Sequence, residues 1–152
     1  MDNAALLQHW QQLQGQSLGT SDWLQVEQQR IDAFADATMD YQVIHIDPQA
    51  DATKKIGGTI AHGFLTLSLL SYLIESLTRT HTDNRTVLNY GLNRVRFLQP
   101  VPGDASIRLH ASVKEVTDKS NGVLVTIDNT VDIQGQATPA MVAEKLILVL
   151  YH

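Results

Sequence analysis

Thr59-Ile60-Ala61-His62-Gly63-Phe64-Leu65-Thr66-Leu67-Ser68-Leu69-Leu70-Ser71-Tyr72-Leu73-Ile74-Glu75-Ser76-Leu77 is the stretch on which the fold turns. Thr59 can cap a helix here, and the helix is predicted to run to about Leu77. Ile60, Ala61, Phe64, Leu65, Leu67, Leu69, Leu70, Leu73, Ile74 and Leu77 cover most of its circumference. A helix apolar nearly all round is a buried one, so the rest of the chain must wrap it. Thr66, Ser68, Ser71 and Glu75 interrupt the run, which is also shorter than the roughly 20 apolar residues that span a bilayer.

The wrapper lies downstream. Val87 to Leu98 reads as a strand ended by Pro100, Pro102 and Gly103. Ile107, Leu109, Ala111 and Val113 alternate with Arg108, His110, Ser112 and Lys114, the period of two that buries one face of a strand. Asn121-Gly122 is a hairpin signal. Beyond it, Val125, Ile127, Asn129, Val131 and Ile133 alternate with Thr126, Asp128, Thr130 and Asp132. Gly135 turns the chain again. Met141 to Leu150 is almost wholly apolar, as suits a strand inside a sheet or at an interface.

Upstream, Leu6, Leu7, Trp10 and Leu13 predict a short amphipathic helix from about Asn3 to Gln14. Gly15 to Thr20 reads as a turn, Trp23 to Val26 as a short strand, and Glu27 to Thr38 as a second helix with Ile31, Phe34 and Ala35 inward. Met39 to Gly58 cannot be one element, because Asp47-Pro48 and Gly57-Gly58 punctuate it. A helix followed by a run of long antiparallel strands is α+β. One helix wrapped by a curved sheet is the hot-dog arrangement, expected here as one domain over residues 1–152.

Composition narrows the chemistry. The chain has no cysteine, which excludes a disulfide scaffold, a thiolate nucleophile and cysteine-based metal sites. A net charge of -5 argues against a nucleic-acid partner. The first basic residue is Arg30, so no basic leader opens the sequence, and a cytoplasmic protein without a membrane anchor is expected.

Two stretches carry reactive side chains. In Asp40-Tyr41-Gln42-Val43-Ile44-His45, a carboxylate just after a helix and an imidazole five residues on can converge on one small molecule. Together they can hold a water, take its proton and deliver a proton elsewhere. In His62-Gly63, the start of the long helix offers amides without intrahelical acceptors, which can stabilise a negative oxygen. Glycine at 63 lets a ligand come close to the backbone. His62 reads as a structural side chain that bonds a backbone group near the helix start. Arg94 and Arg96 fall on one strand face, as cations for a phosphorylated ligand or as a solvated face. Lys54-Lys55 has the same two readings. No metal is expected, since no spacing such as His-Glu-x-x-His occurs, and no Gly-x-Ser-x-Gly elbow marks a nucleophilic serine.

Asp40, Gln42, His45 and His62-Gly63, with Asn89 to Phe97 and Pro100-Val101 downstream, resemble the MaoC-like dehydratases. That family includes the (R)-specific enoyl-CoA hydratases, and the nodulation-protein-N-like branch looks closest. The similarity runs from about Ser21 to Leu150. Three positions depart from the common pattern: Met39 replaces a glycine, Gln42 an asparagine and Val43 a proline. The glutamine fits the nodulation-type branch.

The resemblance implies reversible hydration of a trans-2-enoyl-CoA to the (R)-3-hydroxyacyl-CoA, without a cofactor. Asp40 and His45 would act on one water, and the Gly63 N–H would hold the thioester oxygen. Gln42 would orient the water or Asp40, while His62, Arg94 and Arg96 would contact the substrate. It also implies a homodimer with CoA near the subunit boundary. Two other readings share the fold: an acyl-CoA thioesterase, and a dimer that binds acyl-CoA without turnover.

Overall fold

The computed structural model describes all 152 residues. Its centre is one antiparallel sheet of six strands: β1 (Ser17–Thr20), β2 (Leu24–Gln25), β3 (Val87–Phe97), β4 (Ser106–Lys119), β5 (Gly122–Ile133) and β6 (Met141–Leu150). Their order is β1-β4-β5-β6-β3, with β2 also on β4. Three long strands therefore meander side by side, and β3 crosses over to close the far edge. The helices are α1 (Asn3–Leu13), α2 (Gln28–Thr38), α3 (Val43–Ile46), α4 (Asp51–Lys55), α5 (Gly63–Ser68) and α6 (Leu70–Thr78). With the helices gathered against a curved antiparallel sheet, this is the α+β hot-dog fold.

Alternation places the core. Ile107, Leu109, Ala111 and Val113 of β4 are all buried, as are Val125, Ile127, Val131 and Ile133 of β5. Met141, Ala143, Ile147 and Val149 of β6 continue the same inner face. Leu65, Leu69, Leu70, Leu73 and Ile74 of α5–α6 meet this surface in one cluster, which also takes Leu6 and Trp10 from α1. The outer face is polar: Asp132 lies 2.6 Å from His110 Nε2 and 3.7 Å from Arg108 Nε, and Lys114 pairs with Glu144 at 2.8 Å.

Several elements differ from the sequence reading. The long helix starts four residues later than Thr59, with His62 at its N-cap position, and is interrupted only at Leu69, which keeps helical backbone angles. Thr59 does not cap it; its hydroxyl donates to Gln28 Oε1 at 2.6 Å, and Ile60 bridges to Pro102. Nor is the helix wrapped all round, since Phe64 and Tyr72 are 69% and 64% exposed. His45 sits in the single-turn helix α3, where an irregular segment was expected.

Residues 17–20, read as part of a turn, form an edge strand because β4 supplies a hydrogen-bonding partner. The hairpin turn is Ser120-Asn121, one residue before the expected pair, with Lys119 opposite Gly122. Gly122 instead serves close approach: a Cβ there would come 2.4 Å from the Val149 carbonyl oxygen.

Helix α1 is docked partly through an imidazole pair. His9 Nε2 and His81 Nδ1 lie 2.9 Å apart with their rings stacked, and Trp10 packs edge-on against His81. Burial, and then the charge of His9, lower the pKa of His81 below the ordinary 6.5. The unfolded chain therefore binds more protons than the folded one once the pH drops below about 6.5. Stability from this pair is full above that value and is lost as the pH falls towards the depressed folded pKa. We expect the melting temperature of His81→Phe to fall less than that of the unsubstituted protein between about pH 7.5 and 5. Parallel acid limbs for the two would remove His81 from this role.

Candidate active site

Helix α2 ends at Met39, whose φ of 59° and ψ of 24° put it in the left-handed region. This conformation reverses the chain immediately before Asp40 and explains why a glycine would suit the position. The Asp40 carboxylate is steadied by the Gln42 backbone N–H at 3.4 Å, while the Gln42 side chain is exposed. Gln42 thus reaches Asp40 through its main chain.

One turn on, His45 is buried, and its Nδ1 lies 2.7 Å from the Ile60 carbonyl oxygen. A carbonyl can only accept, so Nδ1 carries the hydrogen and Nε2 of the neutral ring keeps a free lone pair. Ile60 N–H returns a bond to the Ile44 carbonyl at 3.0 Å, joining this turn to the strand-like entry of α5.

His62 closes the site from the other side. It is 2% exposed, stacks on His45 at 3.8 Å between ring centroids, and also contacts Phe34. Its Nε2 donates to the Asp40 carbonyl oxygen at 3.0 Å, which ties the Asp40 loop to the helix start. That partner lies 22 residues away, where the sequence reading placed a neighbour. His62 Nδ1 is buried without a partner.

Gly63 follows as the first residue of α5, and neither its N–H nor that of Phe64 has an acceptor within the chain. His45, Ile60, Ala61, Gly63, Thr66, Phe97, Leu98, Gln99, Pro100, Val101 and Ala140 line a hollow of about 310 Å³. The free amide and the imidazole therefore open into one space with apolar walls.

Polar atoms of Asp40, His45 and His62 all lie within 4.8 Å of one another. Those three side chains are the set that could hold a metal ion. Stacking works against it, because the lone pairs lie in two nearly parallel ring planes and run side by side. The same span suits water, since two hydrogen bonds of roughly 2.8 Å that meet on one oxygen cover about this distance.

Arg94 and Arg96 are placed elsewhere in the chain. They pair across the sheet with Glu144 and Val142, on the face turned away from the helices. Lys54 and Lys55 end α4 and are exposed.

Sequence reasoning missed Gln28. Its Nε2 donates to the His45 carbonyl at 2.7 Å and to Asp32 at 2.8 Å, while its Oε1 accepts from Thr59. It clamps three segments around the site. The polar residue in the first turn of a surface helix carries no pattern that would have revealed this.

A family model described as the MaoC-like domain matches residues 9–134. The 3-hydroxyacyl-thioester dehydratase Z of Mycobacterium tuberculosis is 44% identical over 134 residues, covering 88% of each chain. Nodulation protein N of Rhizobium leguminosarum is 42% identical over 139 residues, covering 90% of this chain and 86% of that one. Among solved structures, an R-hydratase from Pseudomonas aeruginosa superposes with a TM-score of 0.70 over 88% of this chain and 82% of its own, at 21% identity. With fold and relatives in agreement, the chain belongs to the MaoC-like domain family, hydratases and dehydratases of acyl thioesters.

Proposed function

We propose that this protein adds water reversibly across the double bond of a trans-2-enoyl-CoA to give the (R)-3-hydroxyacyl-CoA. The observation that carries the reading is the grouping of Asp40 and His45 polar atoms within 4.8 Å, beside the free Gly63 amide. A water held between the carboxylate and His45 Nε2 loses a proton to the pair as its oxygen bonds to C3. The electrons of the double bond move onto the thioester oxygen, where the Gly63 N–H stabilises the enolate-like charge. They return to C2 as the pair delivers a proton there, so that one water is added and the pair is restored. Gln42 holds Asp40 through its amide, and His62 holds the Asp40 loop. The relatives' names support this class of reaction.

Crotonyl-CoA tests the proposal. Loss of enoyl absorbance marks a hydratase. Release of free thiol would instead mark a thioesterase, and saturable binding with neither signal a carrier; either result rejects the reading.

The assembly follows from β3. Its outer edge has no strand partner, and Val87, Leu88, Tyr90, Leu92, Phe97 and Leu98 at or just beyond it are all exposed. Open backbone groups beside apolar side chains are a template for another strand. A second copy joined edge to edge about a two-fold axis closes both edges at once. Such a homodimer brings the CoA near the subunit boundary; its phosphates would pass over the edge of β3 to meet Arg94 and Arg96, which stand on the face turned away from the hollow. Sedimentation should show a dimer at low micromolar concentration. The double variant Leu88→Asp/Tyr90→Asp, which sets carboxylates against each other across the two-fold, should run as a monomer and lose most turnover. A fully active monomer of the unsubstituted protein would sink the assembly.

A further inference from the structure

Lys145 is the feature that the hydration chemistry leaves unused. It sits on the inner face of β6 between Ala143 and Ile147, is 5% exposed, and stands opposite Leu92 of β3. Its Nζ lies 2.9 Å from Ser71 Oγ, and no carboxylate comes within 4.0 Å. An ammonium has three donors, so two remain without a partner in the chain. Burial pulls its pKa down to about 8, which still leaves the charged form dominant at neutral pH. A buried charge without a counter-ion is expensive, and such a group is ordinarily matched by something that binds.

The surroundings show where that match comes from. Along the helix, Gly63, Leu67 and Ser71 recur every fourth residue and share a face. Opposite them on β3 stand the inward residues Phe97, Val95, Leu92 and Asn89, paired with Met141, Ala143, Lys145 and Ile147. The bulges at Tyr90 and Asn93 keep this row pointing inward along the strand. The hollow at Gly63 lies at one end of this facing row. A second hollow of about 240 Å³, lined by Leu67, Ser68, Leu70, Ser71, Asn89 to Leu92 and Lys145, lies at the other. Eight residues of helix separate Gly63 from Ser71, a distance of about 12 Å. The Phe97 ring against Gly63 and the bond from Ser71 Oγ to Asn89 Oδ1 at 3.4 Å stand between the two hollows, and an acyl chain with its thioester at Gly63 reaches Lys145 by displacing them.

Two other sources of a counter-ion fail on the sequence. The open edge that a second copy would cover, Val87 to Phe97, contains no aspartate or glutamate. Glu75, the acidic residue one turn beyond Ser71, lines one hollow of about 540 Å³ with Lys145, yet makes no ion pair with it and is bonded to Arg79 at 2.6 Å. The ligand is left to supply the charge.

We propose that Lys145 reads the far end of the acyl group, and that the preferred substrates are thioesters whose acyl chain ends in a carboxylate. This rests on the assignment of the Gly63 hollow as the thioester site. The carboxylate takes the two free donors of the ammonium, while Leu67, Leu92 and Val95 cover the methylenes between. An alkyl chain of the same length would leave the ammonium unpaired against a methyl group.

The test is a calorimetric comparison of saturated CoA thioesters, monocarboxylic against α,ω-dicarboxylic, over a series of matched chain lengths. At the length that reaches Lys145, the dicarboxylic thioester should bind about tenfold tighter or more, the effect of a charge-assisted contact. Lys145→Met, close in shape and without charge, should erase or invert that ratio. The ratio is read within one preparation, so a partly unfolded variant lowers both ligands alike. Equal affinities in the unsubstituted protein, or a ratio unchanged by the substitution, overturns the proposal. Loss of the dimer in Lys145→Met with the ratio intact also overturns it, by assigning the lysine to the subunit contact. Saturated thioesters cannot be hydrated, so this result is independent of crotonyl-CoA turnover, which judges the hydratase reading separately.

Discussion

Asp40→Asn and His45→Gln are each expected to slow hydration of crotonyl-CoA by about a hundredfold or more, the usual loss when a positioned acid–base group is removed. The geometry makes both changes mild for the fold. Asp40 is only half-buried, and its loop is held through its backbone carbonyl by His62, a bond that asparagine keeps. His45 donates from Nδ1 to the Ile60 carbonyl, and a glutamine amide can offer a similar donor. What each variant loses is one of the two contacts to water. Because both act on that one molecule, the double variant should be little worse than the worse single one. Steady-state turnover with a melting control checks this. Near-normal rates in either single variant would take that residue out of the mechanism.

Gly63→Ala should come next, with turnover reduced by about ten- to a hundredfold and the fold retained. Gly63 does not have a positive φ, so alanine is not excluded by backbone strain. Its Cβ would meet the Phe97 ring at 3.2 Å, close enough that the ring must shift by a few tenths of an ångström. Phe97 is partly exposed and can yield, and in doing so it moves into the hollow beside the thioester. A methyl group also crowds the approach of the oxygen to the Gly63 N–H. The rate constant should therefore suffer more than the melting temperature. Full turnover in Gly63→Ala would mean that the oxygen is held elsewhere and that the glycine serves packing.

The legible parts of this protein were those with a period. The alternation in β4 and β5 identified the inner face of the sheet, while spacing and resemblance singled out Asp40, His45 and Gly63; the fold brings Asp40 close to His45 and sets His45 and Gly63 on one hollow. Less legible were features that depend on what a segment meets in space. Ser17 to Thr20 has too few β-branched residues to announce a strand and becomes one by lying on β4. Ile60 and Ala61 look helical in a window of sequence, but the bonds to Ile44, Val101 and Pro102 hold them extended. Gly122 reads as turn chemistry and turns out to make room for a neighbouring carbonyl. Lys145 had no local signature, since one lysine in an apolar strand looks like an outward residue until the register is known.

The chain between the two halves of the site is stapled where it leaves and where it returns. Ile60 N–H to Ile44 and His45 to the Ile60 carbonyl fasten both ends of the excursion through α4, and the buried Thr53 pins its middle through Oγ1 to the Val43 carbonyl. Residues 47–58 therefore rest on a fixed base and, Thr53 apart, are mostly exposed. Insertions, deletions and charge changes there can accumulate over evolutionary time while Asp40 and His45 keep their separation. Descendants of this sequence can thus diversify this exposed segment and leave the Asp40–His45 arrangement at its base unaltered.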